Sequence, residues 1–319
     1  MNLQNPKKFK MLVDQAHEVA LHVLRPVSRK YDKAEHAYPK ELDMLASLVD
    51  GMNEGGESMN AGAAGAGNRS ESDNEGNRNG TNMSTALSII EMCYGDTGLL
   101  LSMPRQGLGN SAIAAVANDE QLERFKGTWA AMAITESGCG SDSAAIRTTA
   151  IKDGDDYILN GEKIFVTSGE RADSVVVWAT LDKKLGRAAI KSFVVPKGTE
   201  GMKVERLEHK LGIKASDTAV ISFIDCRVPA ANLLGNAEVD VAKGFAGVME
   251  TFDNTRPLVA AMAIGCAKAS LERIKEIFKD QLDADYKTPY LQTSNLAAQI
   301  YRMEAEWEAA RLLTLKATW

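Results

Sequence analysis

Histidine and cysteine are scarce in this 319-residue chain, with four of each. His17 and His22 stand five apart, a poor spacing for two ligands on one helix face, and His36 and His209 are far apart in sequence. No catalytic metal is expected, so any redox chemistry falls to an organic cofactor. Cys93, Cys139, Cys226 and Cys266 form no C-x-x-C pair and read as buried or incidental thiols in a reducing compartment. No stretch approaches the ~18 apolar residues of a membrane span, and the N-terminal MNLQNPKKFK lacks the apolar centre of a signal peptide. The expectation is a soluble, cytoplasmic chain. Positive charge is in deficit too: 37 Lys+Arg against 43 Asp+Glu gives −6, which argues against a nucleic-acid partner. An anionic ligand would have to be held by local backbone N–H groups and a few placed cations.

What is present is enough apolar material, 45% of residues, for a packed core in two or three domains. Leu12, Ala16, Val19 and Val23 recur at helical spacing until Pro26, which is expected to interrupt the helix, and a second helix follows Pro39. Residues 51–82 fall to Gly, Asn, Ser, Glu and Ala and read as a long loop. Helical pattern returns from about Thr85 to Ala117, and again over Asp119–Lys126. Near Ala130 the period changes to two. Strands are predicted around Tyr157-Ile-Leu159, between the turn pairs Asp153-Gly154 and Asn160-Gly161, and at 174–181, 190–195, 202–208 and 218–224. Helices resume from about Val241 to Lys279 and from about Leu291 to Trp319, where an apolar, periodic run stops without a Gly or Pro signal. The reading is therefore α+β: a helical domain over 1–129, a β domain over 130–239 and a C-terminal helical bundle over 240–319, with a further C-terminal portion expected after Trp319.

Three constellations carry chemistry. The first is the Gly138-Cys139-Gly140-Ser141 turn. Its glycines allow close backbone approach, so N–H groups and the Ser141 hydroxyl could cradle a pyrophosphate, although most such turns are only turns. No helix follows it, which excludes a Rossmann fingerprint. The second is Thr135 with Phe165 and Thr167. Strand alternation puts 165 and 167 on one face, a ring to shield a heterocycle and a hydroxyl to bond its nitrogen, but such residues are also ordinary sheet composition. In the third, Phe245, Met249, Phe252, Arg256 and Val259 share a helix face, with Asp253 as a partner for the arginine and a kink expected at Pro257. That face suits either a structural ion pair or the wall of an acyl channel.

Five runs, in order, resemble the acyl-CoA dehydrogenase family: Tyr94-Gly-Asp-Thr-Gly98, Thr135-Glu-Ser-Gly-Cys-Gly-Ser-Asp142, Asn160-Gly-Glu-Lys-Ile-Phe-Val-Thr-Ser-Gly169, Lys210-Leu-Gly-Ile-Lys-Ala-Ser-Asp-Thr218 and Phe252-Asp-Asn-Thr-Arg-Pro257. The resemblance implies a helical, antiparallel β, helical subunit with FAD. It implies cofactor contacts from Met132, Ile134, Thr135, Gly140, Ser141, Phe165 and Thr167, and acyl-CoA contacts from Thr97, Ser141, Met249, Phe252, Asp253 and Arg256. The implied reaction is α,β-dehydrogenation of an acyl-CoA thioester to the trans-2-enoyl-CoA, with electrons passed to an electron-transfer flavoprotein. An acyl-CoA oxidase differs only in using dioxygen. The family's catalytic glutamate would fall at Thr255, which is no base, or beyond Trp319, where it is expected. Glu250 is acidic but a turn or more from the helical place, and Asp253 reads as a binding or pairing residue rather than a base. Where the family carries Arg-x-x-Phe-Gly, this chain has Gln281-Leu-Asp-Ala-Asp-Tyr286, unfavourable beside a pyrophosphate. That departure keeps open an α2β2 heterotetramer, or a non-catalytic assembly subunit, beside the usual homotetramer.

Overall fold

A computed structural model of the chain describes residues 7–54, 81–105, 107–239, 246–282 and 292–318. Helix α1 (Lys10–Val19) passes through a wide turn at Ala20–Leu24 into α2 (Arg25–Lys33) without a break. Pro26 therefore does not interrupt the helix as its sequence suggests. The Arg25 N–H already reaches back five residues to the Ala20 carbonyl, and this widened turn accommodates a ring that cannot donate. Helix α3 (Glu41–Glu54) runs four residues into the stretch expected to be loop, whose remainder to residue 80 lies outside the described residues. Then come α4 (Thr81–Gly95), α5 (Thr97–Leu101), α6 (Leu108–Val116) and α7 (Asp119–Arg124). Asn118 and Gln121 close a reciprocal capping box on α7.

Seven strands follow: β1 (Ala130–Ala133), β2 (Thr149–Asp153), β3 (Asp156–Thr167), β4 (Ser174–Thr180), β5 (Ile190–Pro196), β6 (Met202–Leu207) and β7 (Thr218–Pro229). The long helix α8 (Ala246–Ile277) contains Pro257 and is helical on both sides of it, and α9 (Asn295–Ala317) starts at a Ser294 cap.

The contacts divide into two compact units, Met1–Ser28 with Asn77–Leu100 and Arg256–Trp319, and Arg29–Gly76 with Leu101–Thr255. In the first, Met83, Leu87, Ile90 and Cys93 of α4 pack with Ala261 and Ile264 of α8 and Leu315 of α9. Gly265 permits the close approach: a Cβ there would lie 2.3 Å from the Ile90 carbonyl oxygen. Buried Glu91 accepts from Lys268 Nζ (2.7 Å) and lies 2.8 Å from His17 Nδ1, so an acid on this inner face is paired.

The second unit is built on the sheet, in the order β1-β4-β2-β3-β7-β6 with β5 also on β4. It is antiparallel except where β4 meets β1 and β2. β4 is buried along its whole length, which explains its run Ser174-Val-Val-Val-Trp-Ala-Thr180. One face of β4 packs Val175, Val177 and Ala179 against Phe193 and Leu159. The other packs Val176 and Trp178 against Ile113 of α6 and Ile134. Asn160-Gly161 is not the hairpin turn expected from sequence. The turn is at Gly154-Asp155, with Asp153 paired to Asp156, and β3 runs straight through 160–161 with a bulge against β7. Gly161 is needed for contact: its φ is 154°, and a Cβ would lie 2.4 Å from Thr148 Oγ1.

Candidate flavin-binding edge

The segment that leaves β1 is tied to β3 by main chain and side chain. The Ile164 N–H donates to the Thr135 carbonyl at 2.9 Å. Lys163, fully buried, donates from Nζ to the Ile134 carbonyl (3.0 Å) and to Glu136 Oε1 (2.7 Å). Glu136 also accepts from the Thr148 N–H (2.9 Å), Thr148 Oγ1 (2.6 Å) and the Arg147 N–H (2.7 Å). Burial pushes the Glu136 carboxyl up. The Lys163 charge and the hydrogen bonds from Lys163 and Thr148 outweigh this and hold it below its ordinary value. On Lys163 burial is the larger effect and lowers it, opposed by Glu136. The following turn is closed by reciprocal bonds, Glu136 N–H to Cys139 carbonyl (3.0 Å) and Cys139 N–H to Glu136 carbonyl (3.1 Å).

Thr135 and Thr167 are both half-buried, and neither side chain has a hydrogen-bond partner among the described residues. Phe165 is 61% exposed. It reaches that position by a left-handed backbone, φ 57°, inside an irregularity of the β3–β7 ladder between Lys163 and Val166. The irregularity ends before Val166, which with Thr167 pairs in register against Ala219 and Thr218, and burial alternates across the three residues, with Phe165 exposed, Val166 buried and Thr167 half-buried. Ser141 is exposed with no side-chain bond among the described residues, and added Cβ atoms at Gly138 and Gly140 would meet nothing within 4 Å. Packing does not require these glycines, and the space beside them is open. Met132 is half-buried and Ile134 buried, the latter in the core beneath the turn.

Other sequence expectations fare differently. Thr97 Oγ1 lies 2.8 Å from Cys266 Sγ in the helical unit. Asp253, Arg256 and Val259 are exposed, so the arginine is not embedded in a buried apolar stripe. Phe245 lies outside the described residues, as do the side chains of Met249, Glu250 and Phe252 and the 283–286 part of the acidic connection. Sequence reading missed two groupings. Arg171 Nε faces Asp217 Oδ1 at 3.3 Å, both buried, and its Nη atoms donate to the carbonyls of Ala215 (2.8 Å), His36 (3.1 Å) and Ala37 (3.0 Å). Glu35, His36 and His209 form a cluster whose ligand-type atoms lie within 4.8 Å of one another. There the Glu35 carboxylate already meets His209 Nδ1 (2.9 Å) and the Lys210 N–H (2.9 Å). A polar cavity of about 490 Å³ in the β unit is lined by Tyr38, Arg105, Trp129, Glu170, Arg171 and Lys197, among others. None of the expected flavin contacts lines it.

Residues 131–226 match the acyl-CoA dehydrogenase middle domain and residues 242–319 the acyl-CoA dehydrogenase C-terminal domain. The chain is 30% identical over 321 residues to the cyclohex-1-ene-1-carbonyl-CoA dehydrogenase of Syntrophus aciditrophicus, spanning 97% of this chain and 71% of that protein. The chain belongs to the acyl-CoA dehydrogenase family. It is also 33% identical to the short-chain specific acyl-CoA dehydrogenase of Megasphaera elsdenii over 95% of this chain and 76% of that one. Butyryl-CoA dehydrogenase from Megasphaera elsdenii superposes with a TM-score of 0.77 at 29% identity, covering 99% of this chain and 80% of the other. Acyl-CoA dehydrogenases are FAD-dependent oxidoreductases. The donor set here fits that cofactor: two half-buried hydroxyls without partners, an exposed ring and an open glycine turn. These are the groups that a heterocycle edge and a pyrophosphate require.

Proposed function

We propose that this acyl-CoA dehydrogenase carries out FAD-dependent α,β-dehydrogenation of an acyl-CoA thioester to the trans-2-enoyl-CoA and passes its electrons to an electron-transfer flavoprotein. The reading rests on one observation above others: Thr135 and Thr167 are hydroxyl donors, half-buried, on bonded segments, with no partner of their own among the described residues. Neither hydroxyl is committed to another protein group, so both are free to bond a ligand's polar edge. FAD, when bound, supplies acceptance of a hydride from the substrate β-carbon. On this reading Thr135 and Thr167 hold the polar edge of the ring, Phe165 covers one side of it, and Ser141 with the turn N–H groups binds the pyrophosphate. Asp253, Arg256 and Thr97 serve the acyl-CoA. The partner arrangement is a tetramer, of one chain type or two.

The test is a titration of the flavin-free protein with FAD, followed by quenching of flavin fluorescence, alongside Thr135→Val and Thr167→Val. Each variant removes one hydrogen bond while keeping shape, so each should weaken FAD by roughly fivefold, about 1 kcal/mol. Wild-type affinity in both variants would remove the basis of the proposal.

A further inference from the structure

The groups expected to touch the cofactor do not hold themselves in place. Thr135 lies between two residues, Ile134 and Glu136, and both are gripped by the same ammonium group. Lys163 Nζ is 3.0 Å from the Ile134 carbonyl and 2.7 Å from Glu136 Oε1. The third anchor is the Ile164 N–H on the Thr135 carbonyl. Lys163 and Ile164 are adjacent on β3, so one short stretch fixes three successive residues of the β1 exit. Glu136 then extends the grip to the start of β2 through Thr148 and Arg147.

A buried lysine is an expensive way to fill a core. Its desolvation must be offset by geometry of this quality, and an apolar side chain of similar volume would serve packing alone as well or better. Pairing of such groups is best attested where it specifies one arrangement over others. Two residues beyond Lys163, the backbone enters the left-handed region at Phe165 and again at Ser168, with φ of 57° and 61°. A segment carrying such conformations persists only where its surroundings over-determine it. The ion pair sits at the N-terminal side of that segment and grips the residues on either side of Thr135.

We propose that Lys163 and Glu136 form a positioning pair for the cofactor: they touch no ligand but fix the Thr135 hydroxyl and the entry to the Phe165–Thr167 segment in the geometry that receives the flavin edge. The proposal rests on the reading that Thr135 and Thr167 contact FAD. Groups of this kind, one layer behind the contacts, tune affinity through orientation.

The experiment compares wild type, Lys163→Met, Glu136→Gln and the double variant. It records FAD dissociation constants by fluorescence quenching, the visible absorption band shape of the bound flavin, and thermal melts and circular dichroism of the flavin-free proteins. Met keeps the length of the lysine stem, and Gln keeps one acceptor oxygen, for Thr148, while its amide NH2 replaces the oxygen that serves the Arg147 N–H. With native circular dichroism retained, each single variant should weaken FAD by about tenfold and move the bound-flavin band toward that of free FAD. The double variant should be no worse than the weaker single one, as expected when both act as one unit. A folded variant with wild-type affinity and band shape overturns the positioning role. If Lys163→Met fails to fold, Glu136→Gln decides alone. If neither folds, the pair supports the whole unit rather than the cofactor edge, and the proposal is also overturned. Failure of wild type itself to bind FAD would instead defeat the underlying cofactor reading.

Discussion

Glu35 shows how a single residue ties two distant loops. Its carboxylate takes hydrogen bonds from His209 and from the Lys210 N–H, and these, with the nearby Lys214 charge, hold it at about 2 against an ordinary 4.5. A depressed carboxyl stabilises the folded form fully above its unfolded value, and the contribution is lost as pH falls through the folded one. The link should therefore weaken between pH 4.5 and about 2. Glu41 titrates in the same range, so the informative quantity is the difference between wild type and Glu35→Gln. Stability curves of the two proteins should converge as pH falls through that window; curves that stay parallel would contradict the assignment. At this scale the motif residues Thr135, Phe165 and Thr167 were legible, because their types and spacing match a family. The partners of Lys163 and Glu136 were not. Both letters stand within those motifs, but nothing in a sequence shows that residues 27 apart meet across two strands at 2.7 Å. Nor does strand alternation anticipate a left-handed phenylalanine.

The elements themselves were mostly readable from hydrophobic period, since burial on one or both faces writes a pattern of its own. The strands from Ser174 to Leu207 fall within a residue of expectation. The failures have local causes. Pro26 is accommodated by a widened helical turn, and Asn160-Gly161 is a bulge because Gly161 is wanted for close approach to Thr148 rather than for turning. Glycine has the same use on α6, where a Cβ at Gly109 would lie 2.2 Å from the Ala131 carbonyl oxygen and 2.6 Å from that of Ala130. Gly109→Ala sets two effects against each other. Helix propensity favours alanine by about 1 kcal/mol, while forcing a methyl into a packed backbone costs about 1–3 kcal/mol. The neighbours are main-chain atoms of β1, which cannot swing aside, so the cost should win. Urea unfolding should show a lower midpoint at unchanged slope; an unchanged or higher midpoint would mean that α6 is free to shift off the strand.

For the molecule as a whole, composition was informative mainly by exclusion. Scarce histidine and a net charge of −6 argue against a catalytic metal and a nucleic-acid partner and leave redox chemistry to an organic cofactor. Among the described residues no helix is long and apolar enough to cross a membrane. The cluster of Glu35, His36 and His209 stayed hidden because its members come from opposite ends of the β unit's sequence. The two regions that match the family's middle and C-terminal domains begin at residues 131 and 242, next to the changes of hydrophobic period near Ala130 and Val241. Membership in an FAD-dependent family and the partnerless hydroxyls of the β unit lead to one decisive measurement, an anaerobic titration of the FAD-loaded protein with butyryl-CoA and other short acyl-CoA thioesters. Loss of the visible flavin absorbance in proportion to added thioester, with a trans-2-enoyl-CoA recovered, is the predicted result. A flavin spectrum unmoved by any acyl-CoA tested would contradict it.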